Sequence, residues 1–313
     1  MKIKISSLIA IILVSATLTS QAQESHVEQI APAPKSALQL GSFKTDYFYS
    51  PFRINGRDVN TQQVNTALIL PLYNKLQDGK LDFFLAGIGY SGLFLSGTGS
   101  AYGGTNFHSF SVPLTFQKSF TTRYTLIVSF IPTFSSDLKD LSGDDMLYTG
   151  AAMLKVKTSD KFSYSAGIVF STQFFGTLLL PIVGIDWNIT NKLNFSGSLP
   201  VSQKLKYRLS AKSAIGINND LGIGGGSYRL STKMNSAYFQ AQQSKITLFY
   251  NHMMARNFSI EVNAGYNYLQ KLDLYDKDQK VDWVPFNSLN KRMPLAELNK
   301  TGISVGTGIN YRF

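Results

Sequence analysis

From about Leu38 to Phe313 the chain alternates apolar and polar residues with period 2, in segments separated by turn-rich stretches. Tyr124, Leu126, Val128, Phe130, Pro132 and Phe134 fall on one face, and Thr125, Ser129, Thr133 and Ser135 on the other, with Ile127 and Ile131 as exceptions. The same period runs through Phe258, Ile260, Val262, Ala264, Tyr266 and Tyr268, and no segment carries a helical period. The pattern predicts about 14 strands, near 38–49, 61–73, 81–95, 106–119, 122–135, 147–158, 161–174, 177–189, 192–200, 204–217, 221–233, 244–254, 257–270 and 302–313. Merging or splitting one pair would give 12 or 16. Connections alternate in length. One set is short (74–80, 120–122, 159–160, 190–191, 218–220, 255–256); the other holds long stretches near 50–60, 96–105, 136–146, 234–243 and 271–301. Two members of that second set, near 175–176 and 201–203, are short as well.

Composition decides which solvent the apolar face meets. The chain is 44% hydrophobic and 13% aromatic but only 16% charged, against about 25% charged in typical soluble domains. A mean hydropathy of −0.02 leaves no room for several spanning helices of about 20 apolar residues each. Disorder is excluded by the aromatic content. In hydrocarbon a sheet can span only if it closes, so that every backbone group is paired and side chains alternate between lipid and lumen. The expected fold is therefore all-β: a transmembrane antiparallel β-barrel with short periplasmic turns and longer outer loops. Trp187 and Tyr311 near one rim, with Tyr90, Tyr268 and Phe134 near the other, suit aromatic girdles. The competing reading is a soluble sandwich or lipocalin-like barrel with its apolar face inward.

The ends of the chain carry the compartment. Lys2 and Lys4, an apolar stretch from Ile5 to Leu18 and Ser20-Gln21-Ala22 form a signal peptide over 1–22, with cleavage between Ala22 and Gln23. Residues 23–37 read as a flexible periplasmic leader and 38–313 as the barrel. At the other end, Ile309, Tyr311 and Phe313 alternate toward a terminal Phe, and this resembles the assembly signal of Gram-negative outer-membrane barrels. Over about 38–313 the chain is similar to an uncharacterised group of Gram-negative outer-membrane β-barrel proteins. That resemblance implies the bacterial outer membrane as location. Its implied partners are outer-membrane lipid, lipopolysaccharide and the barrel-assembly machinery. It supplies no catalytic motif.

Charge narrows the function. The formal net charge is +11, and without Lys2 and Lys4 the remaining 28 Lys and Arg against 19 Asp and Glu leave +9. Lys204, Lys206, Arg208 and Lys212 alternate with Leu205, Tyr207, Leu209 and Ala211. A Lys or Arg facing lipid near the midplane costs about 2–4 kcal/mol, so the ladder should face the lumen, joined by Lys155 and Lys157. Lys44, Arg229 and Lys245 are further contributors, and Asp46, Asp186 and Glu261 are candidate internal counter-charges. The expected role is a pore or facilitator for small anionic solutes. The alternatives are a non-conducting structural or surface-interaction barrel acting through its outer loops, and an outer-membrane lipid-modifying enzyme. Nucleic acid is not expected as a partner, and a closed wall predicts a monomer.

Enzyme signatures are not expected to apply. His108 has Phe at position 110, and Ser109 and Ser111 lie on the opposite strand face, so the lipid-face His and Ser of an outer-membrane phospholipase do not form. His252 has Tyr250 and Met254 two residues away, not the Asp of an omptin-like protease; His26 lies in the leader. Without Cys or a His cluster, no metal or cofactor is expected. Gly222-Ile223-Gly224-Gly225-Gly226 precedes no helix, so it reads as a place where a strand bends rather than as a phosphate loop.

Overall fold

The computed structural model describes residues 40–54, 57–98, 104–223, 225–231 and 237–313. The signal peptide, its Ala22-Gln23 junction and the leader lie outside the described residues. The described chain forms β1 (Ser42–Ile54), β2 (Arg57–Gln77), β3 (Lys80–Ser96), β4 (Asn106–Ser111), β5 (Leu114–Ser119) and β6 (Tyr124–Ser136). Next come β7 (Met146–Lys157), β8 (Phe162–Gln173), β9 (Gly176–Asn188), β10 (Leu193–Leu199), β11 (Ser202–Arg208) and β12 (Ser213–Asp220). The last are β13 (Gly226–Arg229), β14 (Tyr238–Ala255), β15 (Phe258–Tyr275), β16 (Ala296–Asn299) and β17 (Gly302–Arg312).

Three pairs of segments share one place in the wall. β4 and β5 both pair with β3 and β6, and the interruption falls at Pro113, which has no N–H to give the ladder. β12 and β13 both pair with β14, and β16 and β17 both pair with β15. The wall therefore has 14 positions, all antiparallel to their neighbours, and β1 closes it on β17 from Ser42↔Arg312 to Tyr49↔Val305. The expected segment 204–217 is two strands. The turn lies at 209–212, where Leu209 N–H bonds the Ser213 carbonyl, and 218–220 continues β12 instead of turning. The lowered hydropathy of Ser210 to Ser213 is a turn signal that the Lys and Arg alternation masks.

Burial is inverted relative to a soluble protein. On β14, Ile246, Leu248 and Tyr250 are exposed while Thr247 and Phe249 are buried; on β12, Ile215 and Ile217 are exposed while Ala214 is buried. Ser163, Ser165, Asn263, Asn267 and Ser304 point inward and are buried. A soluble sandwich or lipocalin-like barrel would reverse these faces.

The start of β1 at Ser42, the end of β17 at Arg312 and the short turns lie at one end of the barrel, hereafter the turn end, and the longer connections at the loop end. Fourteen strands spaced about 4.8 Å apart and tilted by about 40° enclose a circle roughly 28 Å across. At the loop end that circle is collapsed. Phe107 on β4 stacks on Phe239 of β14 at 4.0 Å between centroids, although the two strands stand nearly opposite in the wall. Val59, Leu93 and Leu95 from β2 and β3 meet Leu272, Leu274 and Leu298 in the same core. The upper parts of β13 to β16 thus lean across the lumen as a panel. Arg229 of β13 lies against Ser136 of β6 and is held by buried Asp145 and by Asp140.

Both faces of this panel are covered, so alternation disappears: Tyr238 and Phe239 are buried together, as are Leu272 to Tyr275. Tyr238 and Tyr275 face away from the first core and pack with Phe175 and Val284 in a second one. Val284 belongs to the connection 276–295, shorter than the expected loop 271–301 because β15 and β16 extend into it. Arg292 pins this connection, with Nη1 donating to Tyr238 Oη at 2.7 Å, Nη2 to Gln240 Oε1 at 2.7 Å, and its guanidinium 4.0 Å over the Tyr275 ring.

Candidate functional site: a basic lumen and a low stretch of wall

Below the core the lumen is polar. Lys204 and Lys206 on β11 alternate with exposed Leu205 and Tyr207, and pair across the wall with Asn218 and Gly216 of β12. Gly216 leaves the inner wall bare, so the Phe249 ring lies against it, and Lys204 Nζ sits 4.0 Å from that ring's centroid. Lys204, Lys206, Arg256 and Arg312 line a cavity of about 220 Å³ at the turn end, with Glu261 as its carboxylate. Arg208 and Arg312 lie within electrostatic reach of Lys206. Arg312 was not among the expected site residues, yet it continues the inward set of Gly308 and Asn310 opposite outward Ile309 and Tyr311.

The other expected basic residues separate. Lys212 is a correction: it sits exposed in the 209–212 turn, off the strand ladder. Lys155 stays on the inward face, paired with Thr125 and Ser165. Lys157 is exposed at the rim and bonds Asp160 at 2.6 Å. Arg229 belongs to the loop-end lock. The anticipated counter-charges are used in part: Lys44 pairs with Asp46 at 2.7 Å and Lys204 with Glu261 at 3.5 Å, whereas Asp186 accepts from Asn194.

A second cavity, about 350 Å³, lies above the first and shares Lys204 and Glu261 with it. Lys245 lines it, with Nζ 3.4 Å from the Phe48 ring centroid, and so do Asn218 and Asn263, each with an Oδ1 that has no hydrogen-bond partner. A third, about 510 Å³, shares Lys245 and is otherwise mostly apolar. It lies where the wall is low, because β10 and β11 are seven residues each and β9 rises past them.

The strand neighbouring this gap bends. From the pair Asp220↔Lys245 to the pair Gly226↔Ala241 the chain advances six positions on this strand against four on β14. Gly225 has φ +68, and a Cβ there would strike the Ala241 carbonyl, so this glycine serves the bend.

The histidines form no metal cluster among the described residues. His108 Nδ1 is 3.0 Å from Tyr90 Oη on the outward face, and Ser109 bonds Ser135 on the inward one. One pairing was invisible to a search along single strands. Ser213 and His252 face each other across β12 and β14, Oγ to Nδ1 at 2.9 Å, with Tyr250 Oη at 3.4 Å from the same nitrogen. No carboxylate hydrogen-bonds this histidine among the described residues, so the pair lacks the acidic orienter of a nucleophilic triad.

Among solved structures, the chain is similar to the COG4313 outer membrane channel from Pseudomonas putida F1, with 9% identity and a TM-score of 0.41 over 91% of this chain and 100% of that one. It is also similar to the KdgM porin in complex with disordered oligogalacturonate (9%, TM-score 0.34, 86% and 99% covered). The Pseudomonas putida toluene transporter TodX aligns at 11% identity and TM-score 0.36, over 87% of this chain and 89% of its own. No protein of curated function matches the chain. The model of the domain of unknown function DUF6268 matches residues 38–312, and the chain belongs to that family.

Proposed function

We propose that this protein is an outer-membrane barrel, its loop end outside and its turn end in the periplasm, that facilitates passage of small anionic solutes. The carrying observation is the convergence of Lys204, Lys206, Arg256 and Arg312 with Glu261 on one cavity. A solute anion there meets excess positive charge in a confined, partly desolvated space, which raises its local concentration. The apolar outward face and its tyrosines suit a lipid surround, and the closed wall suits a monomer.

The test is conductance and reversal potential in a planar bilayer under a KCl gradient, for the wild type and for Lys206→Glu with Arg312→Glu. The expected result is anion-preferring conduction whose preference falls or inverts in the variant. Unchanged selectivity would overturn the reading. A second reading, a non-conducting structural barrel acting through its loops, is favoured by the Phe107–Phe239 stack across the loop end. It predicts no conductance from protein shown to be folded by heat-modifiable gel mobility.

A further inference from the structure

The leaning panel closes the loop end but leaves the wall low beside it. Seven residues of β10 or β11 climb about 18 Å at a tilt near 40°, less than the apolar band of about 25 Å on such barrels. The hairpin tip at 200–201 therefore lies within the band, and β9 rises past it: Val284 bridges its edge at Leu178, and the edge over 180–182 has no strand partner on that side. Among the described residues no backbone hydrogen bond joins 178–182 to 221–226.

An unpaired edge inside hydrocarbon is costly unless its polar groups are satisfied. Here the N–H groups of β9 directed at the gap are accounted for. Thr177 N–H donates to Asp282 Oδ1 at 2.9 Å, Leu179 N–H to the Val284 carbonyl at 2.9 Å, and Pro181 has none. Across the gap, Leu221 N–H donates to the Val201 carbonyl, Gly222 N–H to Ser244 Oγ and Ile223 N–H to the Leu221 carbonyl. These donors on the two rims are thus satisfied without a hydrogen bond between the rims.

We propose that this gap is a lateral portal between the lumen and the surrounding leaflet, and that it passes single-chain amphiphiles with an anionic head. This rests on the anion-facilitator reading of the lumen. The portal's rim is apolar, formed by Leu178, Leu180, Val201, Leu221 and Ile223, and its inner side carries Gln243 and Lys245. Lys245 lines the middle cavity too, and Lys204 and Glu261 join that cavity to the basic one at the turn end. The route therefore runs from apolar to cationic. A tail matches its first part and an anionic head its last. A small hydrophilic anion would lose its hydration at the apolar rim, so it passes by the loop end when the panel opens, and a plain hydrocarbon would find no partner in the charged lumen.

The experiment measures flux through proteoliposomes of decanesulfonate and methanesulfonate, which share a permanently charged head and differ in the tail. It compares the wild type, Val201→Trp with Ile223→Trp to fill the portal, and Lys206→Glu with Arg312→Glu. The expected result is a loss of about tenfold or more in decanesulfonate flux when the portal is filled, with methanesulfonate flux unchanged. Equal loss of both, or loss of neither, would overturn the portal. Failure of the charge-reversed variant to alter either flux would instead overturn the lumen reading. Should the double-Trp variant not fold, the chain's lack of cysteine allows a bimane on Ile223→Cys. Quenching of that bimane by lipids brominated along the acyl chain supports the portal, and its shielding from them sinks it.

Discussion

The two ends of the lumen are built from the same alternating strands and differ only in what points inward. Near the turn end, β14 turns Lys245, Thr247 and Phe249 inward beside polar-lined cavities; above the register shift at Ser244/Lys245 it presents Phe239 and Ala241 to an apolar core. At the turn end charged and polar side chains face a cavity, and at the loop end apolar area draws the wall together. A 14-position barrel is wide enough that nothing in its backbone chooses between these states. Inward side chains choose, at about 25 cal/mol per Å² of apolar surface removed from water.

The largest expected break in this contrast is Phe107→Ala with Phe239→Ala. Removing a stacked pair that is fully buried should cost about 3–5 kcal/mol per ring, less any coupling between them. Urea unfolding checks the loss. The same variant should raise single-channel conductance; a stability loss with no change in conductance would mean that the panel does not gate the loop end.

A smaller effect is expected at the turn end from Gly216→Val. A Cβ there would meet the Leu205 carbonyl and come 2.5 Å from the Phe249 ring, displacing the surface on which Lys204 rests. Overpacking of this kind costs about 1–3 kcal/mol, and anion preference should weaken while the loop end stays closed. Selectivity equal to wild type would show that the Lys204 platform is dispensable.

The smallest effect concerns the connection 276–295. Hydrogen bonds from the Thr177 hydroxyl and N–H hold the exposed Asp282 carboxyl below the usual carboxylate range. A depressed folded pKa means that its contribution to docking is complete above the ordinary value of 3.8 and fades as pH falls through the lowered one. Hydrogen exchange at Leu179 and Val284 should therefore be flat near neutral pH and quicken relative to the rest of the barrel only in strong acid. Thr177→Val should remove that excess; persistence of it in the variant would assign the effect elsewhere.

The legibility of the chain follows the same division. Where one face meets lipid, alternation is strict, and strands such as 124–136 and 162–173 stand within a residue or two of their expected bounds. Where the panel is covered on both faces, alternation fails. Leu272, Asp273, Leu274 and Tyr275 read as loop for that reason and are strand. Lys204, Lys206 and Arg208 were readable because charge cannot face lipid cheaply, while Lys212 kept the period past the point where the chain had turned. The Ser213–His252 contact needed the register between two strands.

By itself the sequence determined the all-β character, a wall of about 14 strands, the outward apolar face and the inward direction of Lys204 and Lys206. Each follows from local period and from the free energy of placing a side chain in lipid or water. Tertiary structure alone decided that the loop end is closed and the wall low beside it. The closure depends on Phe107 meeting Phe239 and on Arg229 reaching Asp145, and the exposed edge beside the short β10 and β11 on Val284 satisfying β9. Those contacts join residues about 84–132 apart along the chain, and no periodicity encodes which distant strand a turned-in side chain will touch.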